Sequence, residues 1–218
     1  MNRITVVTGH FGSGKTEFSV NYAIQLKKRF DKVTIVDMDT VNPYYRTKDV
    51  QEILEAKGIR VIAPQFANTN VDILSVPSDI LSVFDDPECV AVFDVGGDDE
   101  GAIVLGMYQR YLLQCGYDML FVFNARRPLT ATGDDTLEMF EAIQNTSRLR
   151  FSGIINNTNL MEDTTPEIVL EGQQAAQELS QTTGVPIRYI TGMPENFTLL
   201  QNEKDKFFEL DFFIKRPF

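Results

Sequence analysis

The segment Gly9-His10-Phe11-Gly12-Ser13-Gly14-Lys15-Thr16 limits what this chain can fold into more than any other stretch. It satisfies the spacing G-x-x-x-x-G-K-[ST] with no mismatch. Residues 3–8 ahead of it (RITVVT) read as a buried strand, and residues 17–22 behind it (EFSVNY) read as a helix. Strand, glycine-rich turn and helix in that order make a phosphate-binding loop rather than a chance glycine cluster. The glycines let successive backbone N–H groups turn toward phosphate oxygens, with the positive end of the helix behind them. Gly9, Gly12, Ser13, Gly14, Lys15, Thr16 and Glu17 are the expected nucleotide-binding residues. Lys15 suits the β/γ oxygens and is counted as catalytic, and Thr16 can offer its hydroxyl to Mg2+.

The rest of the chain supplies a frame for such a loop. Apolar strands are expected at residues 3–8, 32–37, 59–62, 90–94, 118–123 and 153–156, with 185–190 as the last. Helices are expected between them. The first carries Phe18, Tyr22, Leu26 and Phe30 four apart on one face. A short one at 48–57 stops at Gly58, and another runs from Pro77 to Phe84. A helix after residue 100 is expected to turn Ile103, Val104, Met107, Tyr111 and Leu112 to the core. Two more follow at about 132–147 and from Thr165-Pro166-Glu167 to Gly184. Apolar strands alternating with amphipathic helices imply an α/β fold: a mostly parallel central sheet with helices on both faces. Residues 1–218 are read as one phosphate-loop nucleotide-binding domain.

Ligands of such sheets bind beyond the carboxyl ends of the strands. The phosphate loop, Asp37, Asp39, Asp94 and Asn157 all fall there. Asp94 closes an apolar strand, where a lone carboxylate needs a strong partner such as the Mg2+ shell. Gly96-Gly97 follow and can approach a γ-phosphate through backbone N–H groups. Asp37 and Asp39 lie two apart at a strand end. One can be held by the water shell of Mg2+ while the other orients an attacking water, and Asp39 is favoured for the second task. Thr16, Asp39 and Asp94 are thus the expected metal-site residues, with Lys15 and Asp39 catalytic. Asp98-Asp99-Glu100 is read as a helix cap.

Composition removes other classes. A net charge of −11 argues against nucleic-acid binding, and the one basic cluster, Lys27-Lys28-Arg29, matches a helix end. No run of eighteen apolar residues occurs, so no membrane span is expected. The first strand begins too early for a signal peptide. Cys89 and Cys115 form no metal or redox pattern and read as small buried hydrophobes. A cytoplasmic protein is expected.

Taken together, the loop 9–16, the strand end Val36-Asp37-Met38-Asp39, the turn Phe93-Asp94-Val95-Gly96-Gly97 and Gly153-Ile154-Ile155-Asn156-Asn157 resemble the MinD/ParA/nitrogenase iron-protein group of phosphate-loop ATPases. This group is also called the CobQ/CobB/MinD/ParA nucleotide-binding domain. The resemblance implies that Asp39 lies in a first switch and activates water, that Asp94 holds Mg2+, and that Asn157 contacts adenine. It also implies that the loop Gly192-Met193-Pro194-Glu195 flanks the base, which makes Pro194 a binding residue. Asn156-Asn157-Thr158-Asn159 stands where a guanine-reading Asn-Lys-x-Asp would be, so ATP is expected over GTP.

The chain departs from the group where its signature lysine, which reaches across a dimer, should stand. His10, its only histidine, occupies that place. It reads either as a donor to phosphate in a closed state or as an incidental loop residue. The iron protein's cluster cysteines and a basic MinD-type C-terminal helix are missing as well. Residues 207–214 form an aromatic tail whose default is packing on its own core. Arg126-Arg127 and Tyr44-Tyr45-Arg46 are candidate partner or substrate contacts. The first functional expectation is a Mg2+-dependent slow ATPase that switches a partner protein, with ATP/ADP as ligands and a nucleotide-dependent homodimer. The alternatives are a small-molecule kinase or ligase of the dethiobiotin synthetase/cobyrinate amidase type, and a non-hydrolysing sensor.

Overall fold

Branched apolar residues fill both faces of the strands, so the sheet can only sit between two layers. The computed structural model describes residues 1–38, 50–62, 78–97, 99–130 and 132–213. Its strands are β1 (Ile4–Thr8), β2 (Val33–Met38), β3 (Ile59–Ile62), β4 (Val90–Val95), β5 (Tyr117–Phe123), β6 (Gly153–Asn156), β7 (Ile187–Gly192) and β8 (Phe207–Glu209). They form one parallel sheet in the order β3-β2-β4-β1-β5-β6-β7-β8. The helices are α1 (Lys15–Lys27), α2 (Gln51–Ala56), α3 (Ser78–Asp85), α4 (Asp99–Met107), α5 (Gln109–Cys115), α6 (Gly133–Ser147) and α7 (Pro166–Thr183).

Alternation along each strand divides the core. Val7, Ile35, Val92 and Val122 pack with Phe18 and Ala23 of α1 and Leu54 of α2. Val6, Val36, Phe93 and Phe121 pack on the other face with Ile80, Leu105, Phe140 and Leu179. At the end of the sheet away from the phosphate loop, the Arg3 guanidinium donates to the carbonyls of Val83 and Phe84, 2.8 Å each. A cation at the last turn of α3 suits the helix dipole. Both cysteines are free, with Cys89 buried and Cys115 half-buried.

Three expectations are corrected. Ile103, Met107 and Tyr111 are exposed (52%, 37% and 37%), while Ala102, Leu105, Tyr108 and Leu112 face the core. The segment is apolar on both faces and breaks into α4 and α5 at Tyr108, so spacing alone chose the wrong stripe. Phe30 lies past the end of α1 and is 37% exposed rather than buried. Strand 185–190 is not the last. Phe207–Glu209 adds β8 beside β7, and three residues are too few to show an alternation.

β8 and the tail that follows it pack on α1. Phe208 packs 4.9 Å from the Phe18 ring, centroid to centroid. The Asn21 amide donates to the Asp211 carbonyl at 2.8 Å and accepts from the Asp211 N–H at 2.9 Å.

Candidate functional site

The sheet order decides which groups meet. β1 lies between β4 and β5, so the loop that leaves it emerges beside the ends of both. The loop closes on itself where the Ser13 N–H donates to the His10 carbonyl at 3.1 Å. It passes into α1 through Gly14, whose φ of 88° lies in the left-handed region. A Cβ on Gly14 would also stand 2.2 Å from the Asn157 amide nitrogen. Lys15 is only 7% exposed, and its ammonium donates to the His10 carbonyl at 3.2 Å.

The turn after β4 touches the loop backbone to backbone. A Cβ on Gly97 would lie 1.7 Å from the Gly9 carbonyl oxygen, so nothing larger than hydrogen fits between them. The Thr8 hydroxyl ties the same two segments by donating to the Gly96 carbonyl at 3.2 Å.

Asp94 is 1% exposed, and the Ser19 hydroxyl donates to its Oδ1 at 3.2 Å. Its Cα pairs in register with Val7 of β1 and Asp37 of β2. Strand neighbours in register share a face, so Asp94 and half-buried Asp37 both belong to the α1 side of the sheet. Thr16 is half-buried in the first turn of α1. A hydroxyl and carboxylates are hard oxygen donors, which suit Mg2+. Among the described residues no group of three His, Cys, Asp or Glu could hold a metal alone. Asp39, Tyr44, Tyr45, Arg46 and Asp98 lie outside the described residues.

His10 is neither exposed nor incidental. It is 1% exposed, with Nδ1 at 2.7 Å from the Phe11 carbonyl. A carbonyl only accepts, so Nδ1 carries the proton and Nε2 is the acceptor. Nε2 accepts from the Asn124 N–H at 3.4 Å and lies 2.9 Å from the Thr130 hydroxyl. The ring therefore pins the phosphate loop to the turn after β5. Burial is the main cause lowering its pKa from 6.5 to about 4. The Phe11 carbonyl opposes that fall, and Lys15 and Arg127 add smaller pushes downward. The folded state then binds fewer protons than the unfolded chain between those two values. Stability from this group is full above about pH 6.5 and falls as pH drops toward about 4. A His10→Gln variant is expected to flatten this slope, by on the order of 3 kcal/mol over the window. Denaturant midpoints of both proteins at about pH 7.5 and about pH 4.5 check it, and parallel slopes would refute the buried neutral ring.

The remaining expected residues are placed as follows. Asn157 is 3% exposed, and its amide donates to the Ser13 carbonyl at 2.6 Å while its oxygen accepts from the Thr191 hydroxyl. It supports the phosphate loop from beneath. The Glu17 carboxylate accepts from the Phe213 N–H at 2.7 Å, facing the tail. Pro194 is exposed and opens a short 3-10 helix beyond β7, tied back where the Asn196 amide donates to the Thr164 carbonyl at 3.1 Å. Arg126 pairs with Glu171 on the surface, whereas Arg127 lies against Gly12 of the loop. Ser19, Asn124 and Thr130 were not foreseen as site residues. The only signal for Ser19 was its place one turn beyond Thr16.

No family model matches the chain, and no curated protein matches its sequence. Solved structures do match. A nucleotide-binding protein of Archaeoglobus fulgidus in complex with ADP is 18% identical, over 94% of this chain and 87% of that one, with a TM-score of 0.55. The cell division protein FtsY of Thermotoga maritima is 18% identical with a TM-score of 0.56. The alignment covers 88% of this chain and 62% of FtsY. The chain has the phosphate-loop nucleoside triphosphatase fold. The signal recognition particle 54 kDa protein of Aeropyrum pernix in complex with GDP is similar in the same way, at 18% identity and a TM-score of 0.54. There the likeness takes in 88% of this chain but 41% of that protein. Among the described residues no helix is long and apolar enough to cross a membrane.

Proposed function

We propose that this protein binds Mg-ATP and hydrolyses it slowly, as a MinD/ParA-like nucleotide switch acting on a partner protein. The observation that carries the reading is the convergence of buried Lys15, half-buried Thr16 and buried Asp94 around one loop at the carboxyl ends of adjacent strands. The ADP complex of a structure aligned over 94% of this chain supports an adenine nucleotide. So does the absence of a lysine and a carboxylate from residues 156–159.

In this reading Gly9, Gly12, Ser13 and Gly14 bind phosphate through the loop backbone, and Lys15 neutralises it. Thr16, Asp39 and Asp94 hold Mg2+, which when bound offsets charge on the transferring phosphoryl group. Asp39 orients the attacking water. Catalysis is then positioning and electrostatic stabilisation. Asn157 and Pro194 flank the base, with Asn157 acting through the loop as well. With His10 turned inward, a nucleotide-dependent homodimer would use outward groups such as Phe11, which is 62% exposed on the loop. A soluble, cytoplasmic protein working through a protein partner in cofactor maturation or enzyme activation fits this scheme.

The test is calorimetric titration with ATP, ADP and GTP, followed by phosphate release with and without candidate acceptors. The expected result is binding of both adenine nucleotides, GTP weaker by about tenfold or more, and slow release with no metabolite added. Turnover that appears only with a small acceptor would assign the kinase or ligase reading instead. Tighter binding of GTP would overturn the adenine assignment.

A further inference from the structure

The turn after β5 holds a cation that this scheme leaves unused. A Cβ built on Gly12 would lie 3.7 Å from Arg127 Nε and 3.9 Å from its Cδ, so the side chain crosses the outer rim of the phosphate loop. Its Nε is buried with no hydrogen-bond partner among the described residues. So is the Ser13 hydroxyl, in the same loop. Buried donors of this kind are rare unless an acceptor outside the chain satisfies them. Arg126, the adjacent residue, shows the contrast, since its guanidinium is already paired with Glu171.

The backbone beneath Arg127 is fixed relative to the loop. Its N–H donates to the Asn124 carbonyl at 3.1 Å, and its carbonyl accepts from the Thr130 N–H at 3.1 Å. The Thr130 hydroxyl donates to the Asn124 carbonyl at 2.7 Å, and the Asn124 N–H reaches His10. The Lys15 ammonium reaches the His10 carbonyl while Arg127 lies against Gly12 two residues on, which puts the two cations beside the same short loop. Two cations beside one phosphate loop repel each other until a multiply charged anion lies between them. A guanidinium adds what an ammonium lacks, a planar fork that takes two phosphate oxygens at once.

We propose that Arg127 is a second phosphate-binding cation of this site, supplied by the same chain, and that it contacts the β/γ end of a bound nucleoside triphosphate. The assignment rests on the nucleotide-binding reading. Its geometry is set before the ligand arrives, because His10 and Thr130 hold the turn that carries it.

The experiment measures affinity for Mg-ATP, ADP and AMP, phosphate release, and melting temperature. It compares the full chain with Arg127→Ala, Arg127→Lys and Arg126→Ala. Arg127→Ala is expected to weaken ATP about 10- to 100-fold, ADP less and AMP least, and to slow release. Arg127→Lys should recover part of the loss, and Arg126→Ala should stay within about twofold of wild type. If wild type binds ATP and Arg127→Ala binds it equally well, the assignment fails and the nucleotide reading stands. An equal loss for ATP and AMP, or one matched by a fall in melting temperature, assigns Arg127 to packing and overturns it. If wild type binds none of the three, both fail.

Discussion

Lys15→Ala is expected to weaken Mg-ATP binding by about a hundredfold or more and to reduce phosphate release to background. The reason is position. The ammonium is 7% exposed and held at the mouth of the loop by the His10 carbonyl, so water screens it poorly. Each charge-assisted hydrogen bond to phosphate contributes about 1.5–3 kcal/mol, and an ammonium can make more than one. The fold should survive. The His10 carbonyl keeps the Ser13 N–H as a donor when the lysine is gone. Titration of ATP into wild type and variant, with melting curves on the same samples, decides it. Equal affinities would remove the loop from the site.

The second large effect concerns a residue with no side chain. Gly97→Ala places a methyl group where only 1.7 Å separates it from the Gly9 carbonyl oxygen, and both partners are backbone. Neither can rotate away, so the loop and the turn after β4 must separate. Overpacking of this kind costs about 1–3 kcal/mol, or roughly 3–10 °C in melting temperature for a chain of this size. ATP affinity should fall by about tenfold or more, because the displaced Gly9 begins the phosphate loop. Gly133→Ala is the control. Nothing lies within 4 Å of its added Cβ at the start of α6, so it should be neutral or slightly stabilising. A Gly97→Ala protein that melts and binds like wild type would show that the two segments do not touch.

How much of this was legible in the sequence depended on range. The phosphate loop is a local pattern between a strand and a helix, and it stands where residues 3–22 put it. Asp37 and Asp94 could be placed at strand ends, but their side-by-side pairing needed the sheet order, which no local spacing contains. The Ser19 hydroxyl meets Asp94 across 75 positions of chain. The two readings of His10 stay open in the sequence for a related reason. Nothing local to a glycine-rich loop shows that the turn at 124–130 closes over the histidine. Arg126 and Arg127 are alike in sequence, and only the fold turns one to the surface and the other to the loop. The helix pair after β4 was ambiguous because apolar residues cover both of its faces.

The sheet order has a last consequence, for synthesis. A chain leaving the ribosome carries the glycine motif from residue 16 onward, yet β1 has neither of its neighbours. Its flanks are β4, ending at Val95, and β5, ending at Phe123, and β2 cannot substitute because β4 lies between them. A nascent fragment that stops short of β4 therefore displays the whole signature without the strands that frame it. The surroundings of the loop are completed only after the central strands have been made, so its framing depends on contacts of long sequence separation.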